Sequence, residues 1–227
     1  MSPSARSRRV AAQLALAWVV ILLVVLAVGW LLTHALADVD GPENDLSRWF
    51  ADRRTGTLTS WANALTTPGN TVVALAAGLV LAIGLVTWRR AWSAALLLVL
   101  GLGGVYGIYL LAFTLDPRNH PPVEVLDPGL VPDHSFPSGH VAAATVLYGG
   151  VAVLVRAYFP GVARWLVPVL LLVPVAVLVS RLYLGAHHLS DTLTSLVFAS
   201  AWLLVLARLL HPGTPRAATE RRDRLSA

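Results

Sequence analysis

The sequence predicts an all-α, polytopic membrane protein: six transmembrane helices in a bundle, with short interfacial helices in the first outer loop. Of its 227 residues, 56% are hydrophobic and only 13% are charged, whereas a soluble domain carries roughly a quarter charged residues. Several apolar runs reach the roughly 20 residues needed to cross a bilayer core of about 30 Å. The chain contains no cysteine, which excludes disulfides, thiolate metal sites and cysteine nucleophiles.

Six apolar runs predict the membrane helices. Their expected bounds are Val10–Leu32, Asn70–Trp88, Ala91–Leu115, Ser138–Tyr158, Arg164–Tyr183 and Leu189–Leu210. The predicted membrane domain is therefore 10–210. A short segment, 1–9, precedes it, and a Pro- and Arg-rich tail, 211–227, follows it and is expected to be disordered.

The first outer segment, 34–69, predicts short interfacial helices that pack on the bundle as a lid. An apolar stripe at helical spacing indicates one of them, and it consists of Leu58, Trp61, Ala62 and Leu65. The alternative is that this segment is a dedicated site for a protein partner.

The distribution of charge predicts which side each connection faces. All 17 basic residues are arginines, and twelve of them lie in the N-terminus, in the connections after the second and fourth spans, and after the sixth span. Ten of the 12 acidic residues lie on the other side, nine in its connections and Asp191 at the start of the sixth span. Because an arginine excess marks the cytoplasmic side, we expect both termini in the cytoplasm and the three polar connections on the extracytoplasmic face.

A cleaved signal peptide is the alternative for the first span, since "ALA" at 35–37 resembles a cleavage site. The 23-residue apolar run before it is longer than the roughly 7–15 residues of a signal peptide, which favours a retained anchor. Cleavage of the first span would not change the side of the membrane that each of the other connections faces.

The first polar junction is "HSFPSGH", residues 134–140, where the fourth span begins. Ser138 is suited to the N-cap position, and Gly139 lets a backbone N–H approach a ligand closely. The free N–H groups of a helix N-terminus favour an anion such as phosphate. His140, in the first turn, is suited to exchanging a proton near neutral pH. The alternative is an ordinary helix cap with an interfacial histidine.

The second polar junction is "SRLYLGAHHLSD", residues 180–191, between the last two spans. His187 and Asp191 stand at i and i+4, on one face of the last helix. An aspartate there can accept the imidazole N–H and leave the other nitrogen free as nucleophile or base. Arg181 is suited to binding phosphate oxygens, the alternative being a side chain that snorkels to the interface. His188 points about 100° away from His187 and is expected to be an interfacial bystander.

These two junctions resemble the signatures of the type 2 phosphatidic acid phosphatase family. Ser180-Arg181, five residues, His187, three residues and Asp191 match its third signature, S-R-x5-H-x3-D, and residues 137–140 match its second, P-S-G-H. The resemblance implies that His187 attacks phosphorus and forms a phosphohistidine, oriented by Asp191, while His140 protonates the leaving oxygen and later activates water. It also implies that Arg181, Ser138 and Gly139 bind the phosphate oxygens, without a metal or other cofactor.

The chain departs from the family's first signature, K-x6-R-P. The corresponding text is "FTLDPRNHPP", residues 113–122, in which Phe113 stands for the lysine and His120 for the arginine. We predict that Arg118 supplies a phosphate contact instead, and that His120 contributes one when protonated. The alternative for Arg118 is a loop residue paired with Asp116.

The resemblance implies hydrolysis of a phosphate monoester or diphosphate of a membrane lipid at the outer face of the cytoplasmic membrane. The substrate candidates are an isoprenoid diphosphate, phosphatidic acid and phosphatidylglycerol phosphate. The bilayer and this lipid are the expected partners, and no nucleic acid is expected. Two alternatives remain: a phosphotransferase acting on a lipid-linked acceptor, and a catalytically degenerate member that only binds lipid phosphate.

Overall fold

The computed structural model describes residues 3–36, 39–128 and 130–212, and it contains eight helices over these ranges. They are α1 (Pro3–Trp30), α2 (Asp40–Ala51), α3 (Gly56–Thr66), α4 (Thr71–Arg89), α5 (Trp92–Leu115), α6 (Gly139–Tyr158), α7 (Pro160–Tyr183) and α8 (Leu189–Leu210). A π-helical turn, Leu31–Ala35, extends α1, and a 3-10 turn, Thr67–Gly69, extends α3. The predicted tail lies almost entirely outside the described residues.

Six of these helices, α1 and α4 to α8, are long and apolar enough to cross a membrane. This confirms the predicted fold class. The largest difference in bounds is at α1, which begins at Pro3 instead of Val10, so most of the short segment predicted to precede the membrane domain is helical. Helix α7 also begins early, at Pro160 instead of Arg164. Proline is favoured at the first position of a helix because its missing N–H has no partner there in any case. A single residue, Phe159, therefore connects α6 to α7.

Helix α6 lies at the centre of the bundle. In its most apolar stretch 61% of the residues are buried, against 11–39% in the other five spans. It packs against α5, α7 and α8, with α4 beside it. Small residues allow the close approach: a Cβ at Gly149 would lie 2.7 Å from Leu203 of α8. The central helix is also the one that carries the P-S-G-H signature at its outer end.

Two indole groups tie the surrounding helices to α5. Trp18 of α1 donates from Nε1 to the carbonyl of Gly104, and Trp202 of α8 donates to the carbonyl of Leu100, both at 2.9 Å. A buried indole N–H needs an acceptor, and the α5 backbone supplies it. These bonds fix α1 and α8 against the same helix.

Helices α2 and α3 form a lid over the C-terminal end of α7. Arg54, between them, donates to the carbonyl of Tyr183 at 3.1 and 3.3 Å, and Ala62 of α3 is buried against Tyr183 and Leu184. This confirms the predicted interfacial helices. Of the predicted apolar stripe only Ala62 faces the bundle, whereas the larger members, Leu58, Trp61 and Leu65, are exposed. Their position suits contact with the interfacial layer of a bilayer.

Candidate active site

Three segments meet at one end of the helix bundle: the loop after α5, the start of α6 and the turn from α7 to α8. Ser135 donates its N–H to the carbonyl of Arg118 at 2.8 Å and its hydroxyl to the carbonyl of Asn119 at 3.0 Å. Leu126 donates its N–H to the carbonyl of Leu184 at 2.9 Å. The loop thus bridges the two junctions that carry the predicted site.

The start of α6 presents unused hydrogen-bond donors. Ser138 is the N-cap residue, as predicted, but its hydroxyl makes no capping bond and is buried without a partner. The first N–H groups of any helix also lack partners within it. The ring of Tyr109 packs on Gly139 so closely that a Cβ there would lie 3.1 Å from the ring. Glycine therefore allows the Tyr109 ring to pack directly against the backbone at the start of α6.

Arg181 is fully buried in the last turn of α7. Its Nη1 donates to Asp127 at 2.6 Å and to the Thr66 hydroxyl at 3.3 Å, while Nε and Nη2 have no partner. Snorkelling to the interface is therefore wrong for this residue. A buried guanidinium with free N–H groups is suited to an anion, because a buried donor without an acceptor is costly.

His187 follows α7 through a tight turn. Gly185 has a φ of +71°, in the left-handed region, and a side chain there would collide with Val123 and Arg54. The Nδ1 atom of His187 lies 2.6 Å from the carbonyl oxygen of Ser135, so it donates and carries the proton. Its Nε2 makes no hydrogen bond within the described residues. This is the tautomer that a nucleophilic Nε2 requires.

The predicted hydrogen bond from His187 to Asp191 is wrong. His187 precedes the N-cap residue of α8, His188, so it does not lie on a face of that helix as predicted, and its Nδ1 is 4.0 Å from the nearest carboxylate oxygen of Asp191. Asp191 instead accepts from Nη1 of Arg118 at 2.5 Å and from the backbone N–H of His188 at 2.9 Å. The physical reason is that Nδ1 of His187 donates to the carbonyl of Ser135, and the guanidinium of Arg118 binds the carboxylate of Asp191.

Burial, and then the charge of Arg181, lowers the pKa of His187 well below its ordinary value. Both effects disfavour the imidazolium form. The imidazole is therefore neutral near pH 7, as an attacking nitrogen must be. His140, in the first turn of α6, is close enough to Arg181 and His187 to interact electrostatically with both.

Arg118 is bound by carboxylates and does not replace the missing lysine. It is almost fully buried, and its Nη2 donates to Asp40 at 2.6 Å and to Glu43 at 3.0 Å. Its Nη1 bonds Asp191 and also the Ser190 hydroxyl, at 2.7 Å. The predicted phosphate contact is thereby corrected. The alternative pairing with Asp116 is wrong as well, because Asp116 Oδ2 has no partner and lies against α1.

His120 is also engaged elsewhere. Its Nδ1 lies 2.6 Å from the carbonyl oxygen of Ala186, and its Nε2 lies 3.1 Å from that of Val131. No ring nitrogen remains for phosphate, so the predicted contact is corrected. The ring lies 6.2 Å from that of His187, and the bond to Ala186 holds the residue just before the candidate nucleophile.

Phe113, at the lysine position, belongs to an aromatic stack. Its ring lies 4.3 Å from the ring of His134 and 5.4 Å from that of Tyr109. No cation takes the place of the lysine among the described residues around it. The side chain of His188 is buried beside Asn44 of α2, at 3.3 Å. The expectation that His188 is an interfacial bystander is therefore wrong.

Sequence reasoning missed several residues that build the site. They are Asp127, which anchors Arg181; Ser135, whose carbonyl orients His187; Glu43, which contacts Arg118 and Ser190; and Tyr109, which packs on Gly139. Their contacts cross long stretches of chain, and no local pattern marks them. The only available signal was the pair of carboxylates, Asp40 and Glu43, one turn apart on α2.

Residues 92–214, which hold α5 to α8 and both matching signatures, match the family model of the PAP2 superfamily. The chain belongs to this superfamily. Its fold matches the crystal structure of the first transmembrane PAP2-type phosphatidylglycerolphosphate phosphatase from Bacillus subtilis, with a TM-score of 0.75. The match covers 88% of this chain and 98% of that chain at 20% identity, so the likeness is one of fold. No curated protein matches the chain significantly.

Proposed function

We propose that this PAP2 protein hydrolyses a phosphate monoester or diphosphate of a membrane lipid through a phosphohistidine on His187. One observation carries the proposal: a fixed imidazole with a free Nε2 stands with buried, unpaired donors, namely Nε and Nη2 of Arg181 and the hydroxyl of Ser138. Those donors suit the oxygens of a phosphoryl group, whose charge they stabilise in the transition state.

In the proposed reaction, Nε2 of His187 attacks phosphorus and the bond to the lipid oxygen breaks. His140 gives its proton to that oxygen, since the charge of a bound phosphate favours the protonated imidazole. His140 then takes a proton from water, which attacks phosphorus, and the P–N bond breaks to release phosphate. Asp191, at 4.0 Å, stabilises the positive phosphohistidine by its charge, without a direct hydrogen bond.

The substrate candidates are an isoprenoid diphosphate, phosphatidic acid and phosphatidylglycerol phosphate. The structural relative from Bacillus subtilis is a phosphatidylglycerolphosphate phosphatase, which makes that lipid the first to assay. We further propose that the site faces outward from the cytoplasmic membrane. The site lies at the helix ends opposite the arginine-rich connections, which the charge rule places in the cytoplasm.

The test is phosphate release from the three lipids by purified wild type and by His187→Ala, with and without EDTA. We expect release by the wild type that is unchanged by EDTA, because side chains and backbone N–H groups supply the charge stabilisation. His187→Ala should lose activity by several orders of magnitude. Brief incubation with labelled substrate should leave acid-labile phosphate on the wild type alone. Equal rates in the two proteins contradict the proposal.

A lipid-phosphate-binding protein without turnover is the second candidate. The neutralised Arg118 and the aromatic residue at the lysine position favour it, because both reduce the positive charge available to phosphate. Saturable binding of a lipid phosphate, without release of phosphate or labelling of His187, would support it. Transfer of the phosphoryl group to an added lipid acceptor would instead indicate a phosphotransferase.

A further inference from the structure

We propose that Glu43 of the outer helix α2 and Arg118 of the loop after α5 are positioning residues for the nucleophile. Together they form a bridge from α2 to the start of α8, which we call the α2–α8 bridge; it consists of Glu43, Arg118, Ser190 and Asp191. This inference rests on the proposed function. It makes the lid helix a working part of the catalytic site.

Glu43 holds the start of α8 with both carboxylate oxygens. Oε1 accepts from the N–H of Ser190 at 2.6 Å, and Oε2 accepts from the Ser190 hydroxyl at 2.9 Å. Oε2 also accepts from Arg118 at 3.0 Å. Glu43 is only 8% exposed, so water does not replace these bonds. A carboxylate from another helix thus satisfies an unpaired N–H in the first turn of α8 and opposes its dipole.

Arg118 carries the connection on to His187 by two routes. Its side chain binds Asp191, whose second oxygen accepts from the N–H of His188 and so holds the backbone beside the nucleophile. Its backbone carbonyl accepts from the N–H of Ser135, whose own carbonyl accepts from Nδ1 of His187. One residue therefore fixes both the backbone and the ring of the nucleophile.

The charges explain why the arginine is needed here. Two carboxylates, Glu43 and Asp191, are nearly or fully buried and face the same guanidinium. Without it they repel each other in a medium of low dielectric constant. Asp40 completes the set but is 42% exposed and contributes less. Both terminal nitrogens of the guanidinium are thus engaged by carboxylates, and only Nε is left without a partner.

The first test compares kcat with the inhibition constant of inorganic phosphate in the full-length protein. Glu43→Gln keeps the shape and the acceptor for Ser190 but removes the charge, and Arg118→Lys keeps the charge but removes the planar fork. Both should lower kcat by about 10- to 100-fold, the effect of small misplacements of a reacting group. Asp45→Asn is the matched control, because Asp45 lies on the same helix in an exposed pair with Arg48, and it should leave kcat unchanged.

Inorganic phosphate separates positioning from phosphate binding. Its inhibition constant should change less than about twofold in Glu43→Gln and Arg118→Lys, since neither residue contacts phosphate in this proposal. An inhibition constant that rises in parallel with KM for Arg118→Lys would make Arg118 a phosphate ligand and overturn the proposal. A wild-type kcat in Glu43→Gln would overturn it as well.

Hydrogen exchange tests the bridge without any activity. Amides of residues 186–192 should exchange faster in Glu43→Ala than in the wild type or in Asp45→Ala, because the acceptor of the Ser190 N–H is lost. Equal exchange in all three proteins contradicts the bridge. If Glu43→Ala does not fold, Glu43→Met, which fills similar space but also lacks the acceptor for the Ser190 N–H, decides by the same measurement. If the wild type hydrolyses no lipid phosphate, the proposed function is contradicted. The exchange measurement still tests the α2–α8 bridge, because it does not depend on activity.

Discussion

At the scale of single residues, the environment of His187 sets its chemistry. The carbonyl of Ser135 fixes the proton on Nδ1, and burial together with Arg181 keeps the ring neutral by lowering its pKa. Arg181 itself retains two nitrogen atoms, Nε and Nη2, without hydrogen-bond partners although it is fully buried. A neutral nucleophile beside an incompletely paired cation is the arrangement that attack on an anionic phosphate requires, since protonation of the ring would remove the attacking lone pair.

The pH dependence of kcat/KM follows from the lowered pKa of His187. The neutral ring is the active form of His187. Its protonation should therefore not reduce kcat/KM as the pH falls through about 6.5, the ordinary histidine pKa, and should do so only at lower pH. In the unfolded chain the imidazole is protonated at a higher pH than in the folded protein. The free energy of unfolding should therefore decline as the pH falls below about 6.5. The substrate's own ionisation, measured by phosphorus NMR, is the control. An acid limb above 6.5 that is not due to the substrate argues against a neutral nucleophile.

Replacement of Arg181 should affect binding of phosphate in particular. Arg181→Lys keeps the charge but loses the fork that serves Asp127 and a ligand together. Loss of one charged hydrogen bond, about 1.5–3 kcal/mol, should raise KM and the inhibition constant of phosphate by about 10- to 100-fold. Arg164→Lys, which alters a cation above Trp165 at the other end of α7, should change neither. Unaltered phosphate inhibition in Arg181→Lys would remove Arg181 from the phosphate site.

At the scale of elements, the N-termini of the helices serve different purposes. Asn70 caps α4 with its side chain, accepting from Val72 at 3.0 Å and from Val73 at 3.3 Å. Ser138 occupies the same position on α6 but leaves its hydroxyl and the helix N–H groups unused. A helix end without its cap is less stable but is available to an anion. The central helix of the bundle thus has the end that is best suited to bind phosphate.

The two caps give opposite predictions for stability and activity. Ser138→Ala removes no capping bond, so the Tm should stay near that of the wild type, while kcat/KM falls by about 10-fold or more as a contact to phosphate is lost. Asn70→Ala should lower the free energy of unfolding by about 1 kcal/mol and leave kcat/KM nearly unchanged. Thermal unfolding in detergent and initial rates measure both. A destabilised but fully active Ser138→Ala would assign Ser138 to capping alone.

At the scale of the whole molecule, all groups of the site lie at one end of the helix bundle, and the lid of α2 and α3 covers that end. Arginine-rich connections lie at the opposite end, between α4 and α5 and between α6 and α7. The lid is joined to the bundle by polar contacts of Arg54, Glu43 and Asp40. A lipid can therefore present its phosphate at the covered end while its chains remain among the apolar helix faces.

The absence of cysteine from the sequence makes the orientation directly measurable. Asp45→Cys on α2 should react in intact cells with a maleimide that cannot cross the membrane, because α2 is expected outside. Arg89→Cys, at the end of α4, should react only after the membrane is permeabilised. The reverse pattern would place the site in the cytoplasm. The unmodified chain is the control for labelling of other groups.

The fold class and most helix bounds could be predicted from the sequence. A helix that crosses a bilayer must satisfy its backbone hydrogen bonds internally and be apolar over its whole length, so hydropathy reports it locally. The same holds for the start of α6, where Ser138 is the N-cap residue and His140 lies in the first turn. It does not hold for His187, which lies before α8 and not on one of its faces. The bounds of α8 agree with the prediction because both of its ends are marked by polar residues.

What the tertiary structure alone decided is the partner of each polar side chain. The acceptor for His187 lies 52 residues away, and the cation that binds Asp191 lies 73 residues away. Because Arg118 lies near the position of a family signature, it was predicted to bind phosphate. In the structure its guanidinium instead binds two carboxylates of α2. Helices are local structures and can be predicted from nearby residues, whereas a hydrogen bond depends on two groups that only the packing of the helices brings within 3 Å of each other.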